Sequence, residues 1–306
     1  MVALRNLSLI VGAAILCRSR AVYAANSFAG SNLYYAAGLY EDDRTTLLDV
    51  PIVPIDLHRG LQSAGMKVLR VWLDGQSESQ KGTNINPFPD LEPTQICNGV
   101  ASCYNDTVLN RLDDFMVAAN SYGIKGQTFI QDNQQWQCDR AATIKSQLSS
   151  DNILVMTGGE SWMAESVQPD WLTCDSLDVI SIHAYGTGDY DTSSIETYVQ
   201  QAQSAGKKLI MEEWGACYFD TENNDCPTGD ALSSDTRNAN IQQWAGSITN
   251  AGLPWLYWEV IPNADPHYSY DYEIGLVDDP SWSTLKQVAQ DALSATAAFD
   301  FSAYLL

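Results

Sequence analysis

Lys208-Leu209-Ile210-Met211-Glu212-Glu213-Trp214-Gly215 is an apolar run too short for a helix, closed by two carboxylates, an indole and a glycine. A short continuous apolar run of this kind reads as a strand buried on both faces, which is the mark of a parallel sheet covered by helices. In barrels built from such strands, polar side chains at the C-terminal strand ends face a pocket. Glu212 and Glu213 therefore stand at a pocket mouth. Because successive strand residues point to opposite faces, only one of the two is expected to face that pocket.

On both sides of this run, strands alternate with helices. Strands are predicted over 31–36, 67–72, 153–157, 179–183, 208–213 and 255–258. Helices are predicted over 42–49, 107–122, 141–148, 194–205, 236–250 and 282–293, with Gly123 closing the second. The alternation predicts a parallel sheet with helical crossovers. At this length the first choice is a (β/α)8 TIM barrel, incomplete around strands 3 and 4, and the second is an open doubly wound sheet. Two places break the rhythm. Pro51 and Pro54 interrupt a helix expected to resume at 61–65, as a loop insertion or a retained non-coding stretch. After Lys125, residues 126–135 leave room for one short strand at most, where a full barrel needs strand, helix and strand.

The 306 residues are 45% hydrophobic, enough for a large core. A formal charge of −22 argues against nucleic acid and anionic membrane as partners. Arg5, the apolar run 7–17 and the small residues near 22–24 read as a secretory signal over 1–24, leaving one domain over 25–306. The run is too short to span a membrane. Six cysteines follow the leader. Short loops favour Cys97–Cys103 and Cys217–Cys226, leaving Cys138–Cys174, although six cysteines allow about 15 connectivities. Asn105-Asp106-Thr107 is a glycosylation sequon. His58, His183 and His267 are scattered. With no HExxH, CxxC or EF-hand spacing, neither a metal nor a cofactor is expected, and phosphate-binding glycine loops and GxSxG are also missing.

Four segments in order carry a resemblance. They are Val68-Leu69-Arg70-Val71-Trp72, Ser181-Ile182-His183-Ala184-Tyr185, Met211-Glu212-Glu213-Trp214-Gly215 and Trp255-Leu256-Tyr257-Trp258. Together they resemble glycoside hydrolase family 5, in particular its fungal endo-β-1,4-mannanase-like group. The resemblance implies a secreted retaining glycosidase acting as a monomer on a neutral plant or fungal cell-wall polysaccharide. β-1,4-Mannan is the first choice and a β-glucan the alternative. It makes Glu213 the nucleophile, with Arg70, Tyr185 and His183 around it, and leaves Glu212 structural. It also makes Trp258 the floor under a sugar ring, with Tyr257, Trp72, Trp162 and His267 as further contacts. Each position has a plainer reading: Glu213–Arg70 as a structural ion pair, His183 as a core histidine, and the aromatics as packing.

Retaining hydrolysis needs two carboxyl groups about 5–5.5 Å apart. The family carries the second, its acid/base, in an Asn-Glu pair on the fourth strand, and no Asn-Glu dipeptide occurs in this chain. Glu160 is the nearest substitute, although by position it belongs to the fifth strand. A general acid contributes about 10²–10⁴-fold. The expectation is impaired hydrolysis of unactivated substrates, or a carbohydrate-binding protein without catalysis.

Overall fold

The structure, a computed structural model, describes residues 25–33, 55–71, 106–128, 134–147, 153–160, 162–226, 228–262, 264–265, 267 and 271–306. The leader, the 42–49 helix, Trp72, Asn105 of the sequon, and Cys97 and Cys103 lie outside the described residues.

Six parallel strands form the centre. They are β1 (Ala29–Leu33), β2 (Val68–Val71), β3 (Lys125–Thr128), β4 (Val179–Ala184), β5 (Lys208–Trp214) and β6 (Trp255–Tyr257). Their order is β3-β2-β1-β6-β5-β4. The first strand therefore pairs with the sixth, Gly30 opposite Leu256, which is the closure of an α/β barrel rather than the edge of an open sheet. Beyond β4, Met156 bridges in parallel to Val179, so 153–157 extends the row by a single bridge. The fold is a (β/α)8 TIM barrel, shown in part. The expected gap falls between β3 and 153–157, where residues 129–133 and 148–152 lie outside the description.

Around the sheet lie α1 (Ile55–Ser63), α2 (Asp106–Ser121), α3 (Gln134–Gln147), two single turns α4 (Met163–Ser166) and α5 (Pro169–Leu172), α6 (Thr192–Ser204), α7 (Ser234–Asn250) and α8 (Trp282–Ser294). Helix α1 corrects the expected break: 55–60 is helix, continuous with the turn at 61–63. Pro54 immediately precedes it in sequence, where a proline does not interrupt helical hydrogen bonds. Leu57, His58 and Leu61 are its buried face. Helix α3 starts seven residues earlier than its apolar pattern suggested, because Gln134 and Gln135 carry no periodicity to read. Asp191 and Ser233 cap α6 and α7, each accepting a backbone N–H.

Packing explains the strand sequences. All five residues of β1 are buried, and a Cβ at Gly30 would lie 2.3 Å from the Val68 carbonyl, so only glycine allows β1 and β2 to approach. Trp214 meets Trp255 and Tyr257 edge-on at 5.2 and 5.0 Å, and all three are fully buried. Each removes roughly 150–250 Å² from water, at most about 4–6 kcal/mol apiece. At the other end of the barrel the C-terminal segment closes the bottom: Asn26 bridges Thr296, and Phe28 packs edge-on against Phe301.

Disulfides Cys217–Cys226, which its short loop favoured, and Cys138–Cys174, the pair left over, are present. Among the described residues no helix is long and apolar enough to cross a membrane.

Candidate active site

Strand alternation fails where it matters most. In the β4–β5 ladder Ile182 pairs with Met211, and the next pair is His183 with Glu213. Glu212 is the extra residue of a β-bulge. The β5–β6 ladder shows the same slip, with Met211 opposite Trp255 and Trp214 opposite Tyr257. A bulge re-aims side chains and breaks the two-residue period. Both glutamates consequently reach the same pair of partners, Glu212 fully buried and Glu213 partly accessible.

Arg70 is next to last in β2 and 1% exposed. Its Nη1 donates to Glu213 Oε1 and, at 3.1 Å, to Asn32 Oδ1, while its Nε lies 3.3 Å from Glu212 Oε1. His183 lies between the carboxylates, Nε2 at 3.2 Å from Glu212 Oε2 and Nδ1 at 3.5 Å from Glu213 Oε2. Tyr185 donates its hydroxyl to Glu213 Oε2 at 3.1 Å. Burial pushes the Glu213 carboxyl up, but the charges of His183 and Arg70 and the hydrogen bonds from Arg70 and Tyr185 outweigh it. The result lies below the ordinary carboxylate value. Tyr185 moves the opposite way, well above the ordinary phenol value, through burial and then the charge of Glu213. It stays a donor. Glu213 is thus an ionised, partly accessible carboxylate at a strand end, restrained on both oxygens, which is what a carboxylate nucleophile requires.

The expected aromatic contacts divide. Trp258 is half-buried and follows β6, and its peptide bond to Glu259 is cis. Trp162 is 40% exposed, with its ring 3.4 Å from where a Cβ on Gly186 would stand. Tyr257 has no exposed surface: its hydroxyl donates to the Tyr272 carbonyl at 2.8 Å, so its side chain belongs to the core and not to the mouth. His267 adopts φ 56° and stacks on Tyr218 at 3.6 Å, with Nδ1 2.8 Å from Asp271 Oδ2. Asp265, His267 and Asp271 each bring one potential ligand atom within 4.8 Å of the others, a juxtaposition that linear spacing did not reveal.

Other residues that shape the site escaped the sequence reading. Asn32, buried on β1, donates to the carbonyls of Glu212 at 2.9 Å and Tyr257 at 3.2 Å, tying the bulge to β6. Asn223 donates to the carbonyls of Tyr185 at 2.6 Å and Gly215 at 3.1 Å, from the loop that Cys217–Cys226 closes. Gly159, at φ +74°, lies so close that a Cβ would meet His183 Nε2 at 2.4 Å. A buried asparagine in a strand and a glycine pair were the only signals available. Glu160 follows Gly159 directly and is half-buried, its N–H bonded to Ser166 Oγ at 2.8 Å.

Comparison with known proteins bears on the fold. The family model Cellulase (glycosyl hydrolase family 5) matches residues 128–264, less than half of the 306. No curated protein matches the sequence. The structure is similar to the endo-β-1,4-mannanase from Thermotoga petrophila, with TM-score 0.55 and 16% identity over 88% of this chain and 77% of that one. It is also similar to a glycoside hydrolase family 5 mannosidase from Rhizomucor miehei, with TM-score 0.53 and 12% identity over 89% and 94%. An endo-β-1,4-glucanase from Xanthomonas axonopodis pv. citri gives TM-score 0.56 and 11% identity over 87% and 99%. At such identities the likeness is one of fold, and it is the (β/α)8 fold that these glycoside hydrolases share with the chain.

Proposed function

We propose that the chain is a secreted, retaining glycoside hydrolase of the family 5 type acting on β-1,4-linked mannan, with 25–306 as its catalytic domain. The observation that carries this reading is Glu213, ionised at the C-terminal end of β5 and held by Arg70, Tyr185 and His183. Glu213 attacks the anomeric carbon as the C1–O electron pair leaves with the glycosidic oxygen, which takes its proton from water and so leaves slowly in a chain without the Asn-Glu acid; a second water later releases the glycosyl-enzyme with net retention. Trp258 and Trp162 give the sugar aromatic faces, and a neutral polysaccharide suits a protein of charge −22. Trp72 and His267 complete the proposed contacts. The matching family model supports the class, while mannan and glucan enzymes share the fold, so the choice of mannan rests on the sequence motifs.

A second reading has its own observation: with no Asn-Glu pair in the sequence, a protein that binds carbohydrate without cleaving it keeps the aromatics and lacks the acid. Reducing-sugar release from mannan and from β-glucan, beside calorimetry on the same polymers, separates them. Release from mannan that Glu213→Ala abolishes supports the enzyme. Faster release from β-glucan favours the glucanase alternative, and binding without release establishes the second reading.

A further inference from the structure

Glu212 has no assigned part in this chemistry, yet it is fully buried and placed outside the ladder by the β5 bulge. Its two oxygens meet Arg70 Nε at 3.3 Å and His183 Nε2 at 3.2 Å. Those are the two side chains that flank Glu213. The four groups therefore alternate in a closed ring of carboxylate, guanidinium, carboxylate and imidazole. Asn32 holds the bulge itself, through the Glu212 carbonyl at 2.9 Å.

We propose that Glu212 is a positioning residue: from beneath the nucleophile it fixes the Nε edge of Arg70 and the ring and Nε2 proton of His183, and through them sets how Glu213 meets the sugar. The proposal rests on the glycosidase reading of Glu213. A carboxylate only accepts hydrogen bonds, so Nε2, which lies within hydrogen-bond distance of Glu212 at 3.2 Å while Nδ1 stands farther from Glu213 at 3.5 Å, presents its proton to Glu212. Gly159 lies against Nε2: a Cβ there would stand 2.4 Å from it, so only a glycine leaves the ring its place beside Glu212. On Arg70, the Nε edge faces Glu212 Oε1 at 3.3 Å as an ion pair, while Nη1 donates to Glu213 and Asn32. The guanidinium plane is thereby held by three groups on two strands. Among the described residues, the ionisable side chains facing His183 are Glu212 and Glu213, with Arg70 behind both and Tyr185 beside Glu213.

The test uses the full chain and a half-reaction that needs no general acid. A 2,4-dinitrophenyl 2-deoxy-2-fluoro-β-mannoside loses dinitrophenolate with the C1–O electron pair while Glu213 forms the C1–O ester, and the fluorine slows its hydrolysis. Mass spectrometry follows the adduct. Glu212→Gln keeps the volume and an acceptor for Arg70 Nε but turns an amide N–H toward His183. The expected result is a first-order labelling constant lower by roughly 10- to 100-fold, with the half-saturating concentration within about twofold of the parent. ¹⁵N NMR of the resting protein is expected to show the His183 proton on Nε2 in the parent and its displacement in Glu212→Gln. Parent-like labelling in Glu212→Gln overturns the proposal, and so does a parent His183 protonated on Nδ1 alone. The parent spectrum decides even if the variant fails to fold. A parent that labels neither with this probe nor with the corresponding β-glucoside, with the Nε2 proton in place, removes the glycosidase reading and leaves Glu212 as the anchor of His183.

Discussion

Arg70, next to last in β2, reaches past β1 and β6 to Glu213, next to last in β5, and Nη1 donates to the carboxylate with the guanidinium 1% exposed. Breaking such a pair from one side strands what remains. Arg70→Leu leaves Glu212 and Glu213 without their shared cation, and loss of one partner of a buried ion pair costs about 3–5 kcal/mol. Urea denaturation at neutral pH is expected to show a loss of that order. Glu213→Gln, which removes one of two carboxylates and keeps a neutral acceptor, is expected to lose less. Equal losses would mean that Arg70 does not serve both glutamates.

Tyr185 offers a milder probe, because its hydroxyl touches Glu213 without carrying charge. Tyr185→Phe deletes the 3.1 Å hydrogen bond to Oε2. Hydrogen bonds to charged groups contribute about 1.5–3 kcal/mol, so labelling of Glu213 is expected to slow by roughly 10- to 150-fold. The pH profile gives the sign. The folded Glu213 carboxyl lies below its ordinary value. The stability and reactivity that depend on its ionisation are therefore present above the unfolded carboxylate range, and they are lost as pH falls through the folded value. Removing Tyr185 removes one of the groups that lower it, so the acid limb is expected to move to higher pH. An acid limb that stays in place while the rate falls would make Tyr185 a contact of the sugar rather than of Glu213.

How much of this was legible follows from which signals are local. The strand predicted over 208–213, the helix closed by Gly123 and the (β/α)8 alternation depend on residues within one element, and the sequence displays them. The motif segments likewise put Arg70, His183, Tyr185 and Glu213 at strand ends, where the structure brings them together. What escaped depends on register. A one-residue bulge at Glu212 leaves no local mark, yet it decides that both glutamates share Arg70 and His183. Tyr257 was placed at the mouth because it lies beside Trp258, and the strand period sends it into the core instead. Pro51 and Pro54 suggested a broken helix, although Pro54 only precedes the start of α1.

His58 gives a pH effect remote from the site. On α1 it is 1% exposed and stacked on Tyr122 at 5.2 Å, and burial holds its pKa below the ordinary value of 6.5. The unfolded chain therefore binds the proton more readily than the folded one. Stability falls as pH drops below the unfolded value toward the folded one. His58→Phe keeps the ring stack and removes the titration. Urea midpoints between pH 8 and 5 are expected to fall less steeply in the variant than in the parent. Parallel slopes would mean that His58 is protonated without cost in the folded chain.

Cys138–Cys174 ties α3 to the turn after α5, across the side of the barrel where 153–157 joins β4 through the Met156–Val179 bridge and hydrogen bonds between Thr157 and Ser181. Its cysteines are 36 residues apart, and a loop of that size is worth about 3–4 kcal/mol in the chain-entropy account. A helix held by few sheet contacts depends on such a link more than one seated on a complete ladder. The Cys138→Ala/Cys174→Ala double variant is expected to lose about that much in urea. Amide exchange should rise first in α3 and 153–157 and leave β5 protected. Glu213 lies on β5, so its labelling rate under native conditions should stay within about twofold of the parent. Loss of labelling in a variant that still unfolds cooperatively would instead couple α3 to the carboxylate pair, and the disulfide would then count as part of the site's support.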